Sequence, residues 1–353
     1  MLGGKSHHKM QEETLMTDTV RPAFAPRRRS ILKGLVALPV LAAAPGLAWA
    51  QGWPSGNITL IVPFPPGGQA DLAARPIADA LQKSLGVTVI VENRSGAGGA
   101  IGNAAAAKAV PDGNTLLMTL SSLAVLPAAA RLLERPPLYE VSQLRPVARV
   151  LADPTMLAVP AKSPWKTVAD LVAEAKAKPA SIAYGSSGPY GTLHVAMEMF
   201  CASAGIRMNN VNYRGAGPAL NDLVAGQIQA MASAPGTLKQ HVDAGTLRVL
   251  ACWGTQRVPS FPDVPTFMEL GYKDVEFYIW AGLFVPTGTP QPIYDRLRAA
   301  MREAMANRDV LTVFEKAGSP PAYQDAAEFA AFVENDSARL VTAVGKIGKV
   351  AEQ

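Results

Sequence analysis

ITLIVPFPPGGQAD, residues 58–71, is an apolar, β-branched run that stops at two prolines and two glycines and passes at once into a helical pattern. The run reads as a short apolar strand. The following DLAARPIADALQKSLG has helical spacing and ends at a glycine, although Pro76 near its start removes one hydrogen bond. A strand–turn–helix junction of this kind raises the question of what its turn is built to hold.

The same rhythm recurs outward from this stretch. VTVIVEN reads as a strand, AIGNAAAAKAV as a helix and TLLMTL as a third strand. SIAYGSSG, GTLHVAMEMFCASAG, MNNVNY, GPALNDLVAGQ, IQAMAS and LRVLACWG then repeat the pattern. Alternation of this type predicts βαβ units and parallel sheets. VARVLADPTMLAVPAKSPW and DVEFYIWAGLFVPTGTPQP are extended apolar segments with prolines at their ends, and are read as strands that cross between two lobes. The expected division is 51–155 with 279–353 for the first lobe and 156–278 for the second. The class is α/β, each lobe a sheet flanked by helices.

Three of the expected strand–helix junctions are almost devoid of side chains: Pro65-Pro66-Gly67-Gly68, Gly96-Ala97-Gly98-Gly99-Ala100, and Gly185 to Thr192. In open α/β sheets ligands lie beyond the carboxyl ends of the strands, where the first turns of the next helices leave N–H groups unpaired at the positive end of the helix dipole. Such a place suits an anion. A side chain at Gly68 is expected to block the approach and to meet a disallowed φ. The phosphate motifs fail: PPGGQAD has no lysine for a Walker loop, and a dinucleotide fingerprint begun at Gly96 meets Ile101 where a third glycine is required. The hydrolase elbow fails too, since Gly185-x-Ser187 leads to Pro189. A carboxylate is the favoured anion.

The chain has 353 residues, 49% of them hydrophobic and 17% charged, which excludes a disordered default state. Residues 1–50 hold seven of the 33 basic and three of the 28 acidic side chains, leaving a formal charge of +1 on the remainder. That leaves no basic field for nucleic acid. RRRSILKGLVALPVLAAAPGLAWAQ has a charged start, an apolar stretch broken by Pro39 and Pro45, and Ala48-x-Ala50 before Gln51, the layout of a cleaved export signal. Arg28-Arg29 followed by Ile31, Leu32 and Lys33 resembles a twin-arginine signal.

After residue 50 there are two histidines, His194 and His241, without metal-ligand spacing, so neither a metal nor a cofactor is expected. His194 follows the third glycine-rich junction and reads as a residue that orients that loop rather than as a general base, because no positioned nucleophile accompanies it. Asp71 reads as a shaper of its loop, capping N–H groups and pairing with Arg75 four residues on. Cys201 and Cys252 read as buried free thiols in preference to a disulfide, since two cysteines carry no spacing signature.

VPFPPGGQADLAAR, VIVENRSGAGGAIG, YGSSGPYGTLHVAMEMF, NYRGAGPALNDLVAGQ, FPDVPTFMELGY and WAGLFVPTGTP resemble, in order, the blocks of the Bug family of periplasmic solute-binding receptors that serve tripartite tricarboxylate transporters. The likeness runs over residues 56–340. It implies a type II-like periplasmic-binding-protein fold with two crossing strands as hinge, closing on a small organic acid held by backbone N–H groups and waters. It implies Phe64, Gly67, Gly68 and Asp71 in the first-lobe loop and Ser121 and Ser122 after the third strand. Ser187, Gly188, Tyr190, Thr192 and His194 would form the second-lobe loop, with Tyr213, Arg214 and Gly215 at the neighbouring junction. Two departures stand out. Ala232-Ser233 replaces the family's Phe-Asp, and Arg214 replaces a lysine, offering a planar fork if it points inward.

Three functions are consistent with these residues: an exported receptor delivering an organic acid to membrane transporter subunits, an exported hydrolase using Ser187 and His194, and a sensing subunit that reports to a membrane sensor kinase. All three require export. N-terminal sequencing of protein recovered from the periplasm should begin at or within a few residues of Gln51; a full-length species fixed in the membrane overturns the signal reading.

Overall fold

The computed structural model describes residues 52–349; the expected signal segment lies outside the described residues. The chain first runs through β1 (Ile58–Val62), α1 (Gln69–Leu85), β2 (Val89–Asn93), α2 (Ala100–Ala107), β3 (Thr115–Leu120), α3 (Ser122–Leu132) and β4 (Leu144–Pro154). It continues through β5 (Met156–Pro160), α4 (Val168–Ala177), β6 (Ala183–Ser186), α5 (Thr192–Ala204), β7 (Asn209–Asn212), α6 (Ala216–Val224), β8 (Ala230–Ser233), α7 (Pro235–Asp243) and β9 (Leu247–Cys252). It returns through β10 (Tyr278–Pro286), α8 (Gln291–Ala306), α9 (Arg308–Ala317), β11 (Pro321–Asp325) and α10 (Ala326–Ile347).

These strands form a six-stranded sheet in the order β11-β4-β10-β3-β1-β2 and a five-stranded sheet in the order β7-β6-β8-β5-β9. β1 pairs in parallel with β2 and β3, and β6 in parallel with β7 and β8. The expected wholly parallel sheets are not found. β10 runs antiparallel to β3 and β4, and β5 antiparallel to β8 and β9. The strands by which the chain arrives from the other sheet, β5 and β10, run against the βαβ direction, whereas β4, by which it leaves the first sheet, runs with it.

The crossing itself is short. Only Thr155 separates β4 of the first sheet from β5 of the second. Its N–H donates to the carbonyl of Phe277 at 3.1 Å, and its carbonyl accepts from the Trp253 N–H at 2.8 Å. Phe277 in turn donates to Trp253 at 3.1 Å just before β10 begins. The link between the sheets is therefore a narrow backbone ribbon, a geometry suited to hinge motion.

Each lobe has its own aromatic centre. Trp280, Phe284, Phe329 and Phe332 pack together between β10 and α10, and Phe200, Trp253, Phe267 and Tyr272 pack against α5. The indole N–H of Trp280 donates to Asp336 at 2.8 Å, and Arg339 holds the other oxygen of that carboxylate at 2.7 Å, so the buried acid is paired. Cys201 and Cys252 are both buried free thiols. In the first lobe a buried polar chain runs from Thr119 to Asn103 at 2.8 Å, on to Tyr139 at 3.2 Å, and from the Tyr139 hydroxyl to the Leu123 carbonyl at 2.8 Å, fixing the start of α3 behind the end of β3.

β10 carries Gly282 because Phe329 occupies the space a side chain would need: an added Cβ would lie 2.2 Å from the ring. Replacing Gly282 by Val overfills this core. Thermal or urea unfolding should show a loss of about 1–3 kcal/mol, and an unchanged midpoint would mean that the ring moves aside freely.

Candidate functional site

The loop from Phe64 to Asp71 is held in shape by its own acid. Asp71 accepts the Gly67 N–H at 3.2 Å and is bound by Arg75 through Nε at 2.9 Å and a terminal nitrogen at 2.8 Å. Asn93, at the end of β2, donates both to the Phe64 carbonyl at 2.9 Å and to Asp71 at 3.2 Å. With its oxygens so engaged, the Asp71 carboxylate faces its own loop. Gly67 adopts φ 85°, which the turn demands. Gly68, the N-cap of α1, sits at φ −96° and ψ 177°, ordinary extended backbone. The expectation of a disallowed φ at Gly68 is thus corrected. An added Cβ there meets only the Ala216 Cβ, at 3.5 Å.

The second-lobe loop is held from behind by His194. Its Nδ1 accepts the Tyr190 N–H at 3.1 Å, and its ring packs between Tyr184 and Tyr190. That bond supports Tyr190 at φ 55°, a left-handed conformation for a residue with a side chain. The Tyr190 hydroxyl donates to the Gly348 carbonyl at 2.8 Å. Burial pushes the His194 imidazole down to about 4, so it is neutral near pH 7 with its proton on Nε2. Ser187 accepts the Leu193 N–H at 3.4 Å. Among the described residues no hydrogen bond joins Ser187 to His194.

The two loops meet around a small cavity at the carboxyl ends of β3, β6 and β8. Phe64, Gly68, Ser187 and Thr192 line it, together with Gln69, Leu120, Ala216, Ser233 and Ala234, and Ile279 closes it from β10. Among the described residues no charged side chain reaches its wall. Instead α1, α5, α6 and α7 all begin there, and none of their N-cap residues, Gly68, Gly191, Gly215 and Ala234, supplies a capping side-chain bond. Among the described residues two buried side-chain atoms of the cavity lining, Gln69 Oε1 and Thr192 Oγ1, have no hydrogen-bond partner. Ser187 takes the Leu193 N–H of α5 and Ser319 the Gly236 N–H of α7, but the four helix starts still bring positive dipole ends and further first-turn N–H groups to one point, an arrangement that favours an anion.

The other residues singled out from the sequence lie around this wall. Ser122 donates to the Gly98 carbonyl at 3.0 Å. Tyr213 donates its hydroxyl to Asp222 at 2.6 Å. Arg214 is exposed and does not line the cavity. Gly188, Gly215 and the middle glycine-rich junction serve the contact between lobes. A Cβ on Gly188 would lie 3.2 Å from the Gly98 nitrogen, one on Gly98 would lie 3.3 Å from the Gly191 Cα, and one on Gly215 would lie 2.5 Å from Pro65. The lobes therefore touch backbone to backbone around the cavity, whose volume is about 20 Å³, room for about one water molecule. A ligand larger than that must hold the lobes further apart than they stand here.

Gln69, Ser233 and Ala234 were not singled out as site residues, nor was Asp153 behind Gln69. Ser233 was noted only as half of the Ala232-Ser233 departure. A lone acid in the apolar run VARVLADPTML was the available signal for Asp153. A larger hollow of about 830 Å³ opens elsewhere, between α5, the segment 268–276 and the end of α10. It is an outer groove remote from the strand ends, with Lys273, Glu276, Arg339 and Lys346 on its walls.

Comparison with known proteins places this arrangement. The family model described as the tripartite tricarboxylate transporter family receptor matches residues 73–349. Protein BugT of Bordetella pertussis is 34% identical over 299 residues, 85% of this chain and 91% of its own length. The periplasmic binding protein BugD superposes with a TM-score of 0.79 at 28% identity, covering 84% of this chain and 98% of its own. MatC from Rhodopseudomonas palustris, solved with bound malate, superposes with a TM-score of 0.77 at 28% identity, covering 82% of this chain and 99% of its own. The fold of two mixed sheets flanked by helices is thus that of the periplasmic binding proteins BugD and MatC, and this chain belongs to the Bug-type solute-binding receptors of the tripartite tricarboxylate transporter family.

Proposed function

We propose that the protein is a periplasmic receptor that captures a small organic carboxylate between its lobes through backbone N–H groups and delivers it to membrane subunits of a tripartite tricarboxylate-type transporter. The lobes are assigned as 51–155 with 279–353, and 156–278. The observation that carries the reading is the convergence of four uncapped helix starts on a cavity with no charged side chain. An anion there is neutralised by dipoles and N–H groups, which recognise a carboxylate without competing for a proton. The malate bound by MatC supplies a small carboxylic acid as the first ligand to test.

The family is a class of receptors rather than enzymes, and the geometry offers the hydrolase reading little. His194 spends Nδ1 on the Tyr190 N–H, and Ser187 is not bonded to it. A nucleophile without a base in hydrogen-bond reach is not activated. Of the two partner types weighed from the sequence, the transporter has the family's support and the sensor kinase has none. Entry and release require the lobes to part about Thr155, because the closed cavity admits about one water.

Calorimetry with malate tests the N–H model. Gly68→Val keeps an allowed backbone and projects its methyl groups at the start of α1, so the fold should survive while several charge-assisted bonds are blocked, each of about 1.5–3 kcal/mol. Affinity should fall about a hundredfold or more. His194→Ala, which removes one neutral bond behind the loop, should weaken binding by about tenfold or less. If Gly68→Val binds as wild type, the site lies elsewhere.

A further inference from the structure

Gln69 is the first residue of α1 and lines the cavity, but its amide is oriented from outside it. Nε2 donates to Oδ2 of Asp153, a wholly buried carboxyl one residue before the end of β4. Ser319, whose hydroxyl helps to stabilise the charge of the same carboxyl, accepts the Gly236 N–H at 3.1 Å from the first turn of α7 in the other lobe. The far end of the amide, Oε1, is buried and has no partner.

A carboxylate can only accept hydrogen bonds, whereas a carboxylic acid can also donate one. Ionised Asp153 therefore requires the amide nitrogen to face it, which leaves the carbonyl oxygen of Gln69 for the cavity. Protonated Asp153 can donate to that oxygen, and a half-turn of the amide then presents two N–H donors to the cavity instead.

We propose that Gln69 and Asp153 form a proton-coupled selector of the ligand, presenting an acceptor to the cavity when Asp153 is ionised and a donor when it is protonated. The ionised form favours an acid that carries a hydroxyl or ammonium donor. The protonated form favours an acid whose groups only accept. This inference rests on the carboxylate-receptor reading above and names the feature of the ligand that the same site distinguishes.

The surroundings keep both forms within reach. Burial drives Asp153 up to about 7, against the opposing bonds from Ser319 and Gln69. The groups that face it are Gln69 from α1, Ser319 from the segment between α9 and β11, and Ile279 across from it on β10; none is charged. His194, behind the opposite loop, is pushed down to about 4 and stays neutral through the same range. The sign follows. An acceptor-only acid binds the protonated form, so its affinity is complete below the Asp153 value and is lost as pH rises through it, by about tenfold per unit well above it. An acid with a donor pairs with the ionised form and escapes that loss.

Succinate and malate differ by one hydroxyl and are both fully ionised from about pH 7 to about pH 8.5. Calorimetry across that range should show the wild-type dissociation constant for succinate rising about tenfold while that for malate stays nearly level. In Asp153→Asn both acids should show a flat profile, and in Gln69→Leu, where Asp153 still titrates, the two acids should share one profile. Nitrogen-15 NMR of the ligand-free protein reads the switch itself: the Gln69 side-chain amide, assigned by its loss in Gln69→Leu, should shift with a midpoint near the Asp153 value and stop doing so in Asp153→Asn. If Asp153→Asn does not fold, the wild-type titration and Gln69→Leu decide. A Gln69 resonance that does not titrate, or equal pH slopes for the two acids in the wild type, overturns the selector. A titrating Gln69 with binding of neither acid supports the switch and tells instead against the carboxylate receptor.

Discussion

The convergence of the starts of α1, α5, α6 and α7, none with a side-chain bond from its own N-cap residue, is the constraint around which the rest is arranged. Each helix start buried without a cap leaves donors whose loss of water must be offset by some other acceptor. One such end is a local cost that a neighbouring side chain could remove. Four brought to one cavity from two sheets are a shared demand that a single anion can meet. The sheets supply the convergence, because strand ends of parallel βα units lie on one edge and the crossing ribbon turns those two edges towards each other.

Bringing backbone to backbone also explains the residue types at the contact. Gly98 against Gly188 and Gly191 leaves an added Cβ only a tight fit at 3.2–3.3 Å, and Gly215 against Pro65, at 2.5 Å, leaves it none. Side chains there would hold the lobes apart and admit water to the donors. The polar supports lie one step back. Asp71 with Arg75 and Asn93 shapes one loop, and His194 the other. This separation keeps charged side chains off the wall.

The junction at residues 64–71 was legible in the sequence because apolar run, breaker and helical pattern each have their own local signature. The three glycine-rich runs were legible as places of close approach for the same reason. What they approach was not. The run Gly96–Ala100 is as rich in small residues as its two counterparts, yet they line the cavity and it serves only the contact between lobes. Strand direction was also hidden, since an apolar run such as that of β10 looks the same whichever way it enters a sheet. The pairing of Gln69 with Asp153 spans 84 residues and exists only because β4 ends beside the start of α1. No period or spacing in the sequence encodes that meeting.

Asp153 occupies a place where an acid is electrostatically awkward, behind a wall suited to an anion and cut off from water. An ionised carboxylate there repels the ligand it helps to frame, and burial alone already favours its protonated form. A permanently neutral residue would avoid both penalties, but it would also present Gln69 with the same partner at every pH. The Ser319 and Gln69 bonds instead stabilise the charge enough to keep ionisation close to neutrality. Because Ser319 also receives an N–H from α7, the charge state of one carboxyl touches the ligand wall, the crossing strand and the opposing lobe together. Protonation, ligand choice and lobe closure are thus thermodynamically linked, and a change in any one must be felt by the other two.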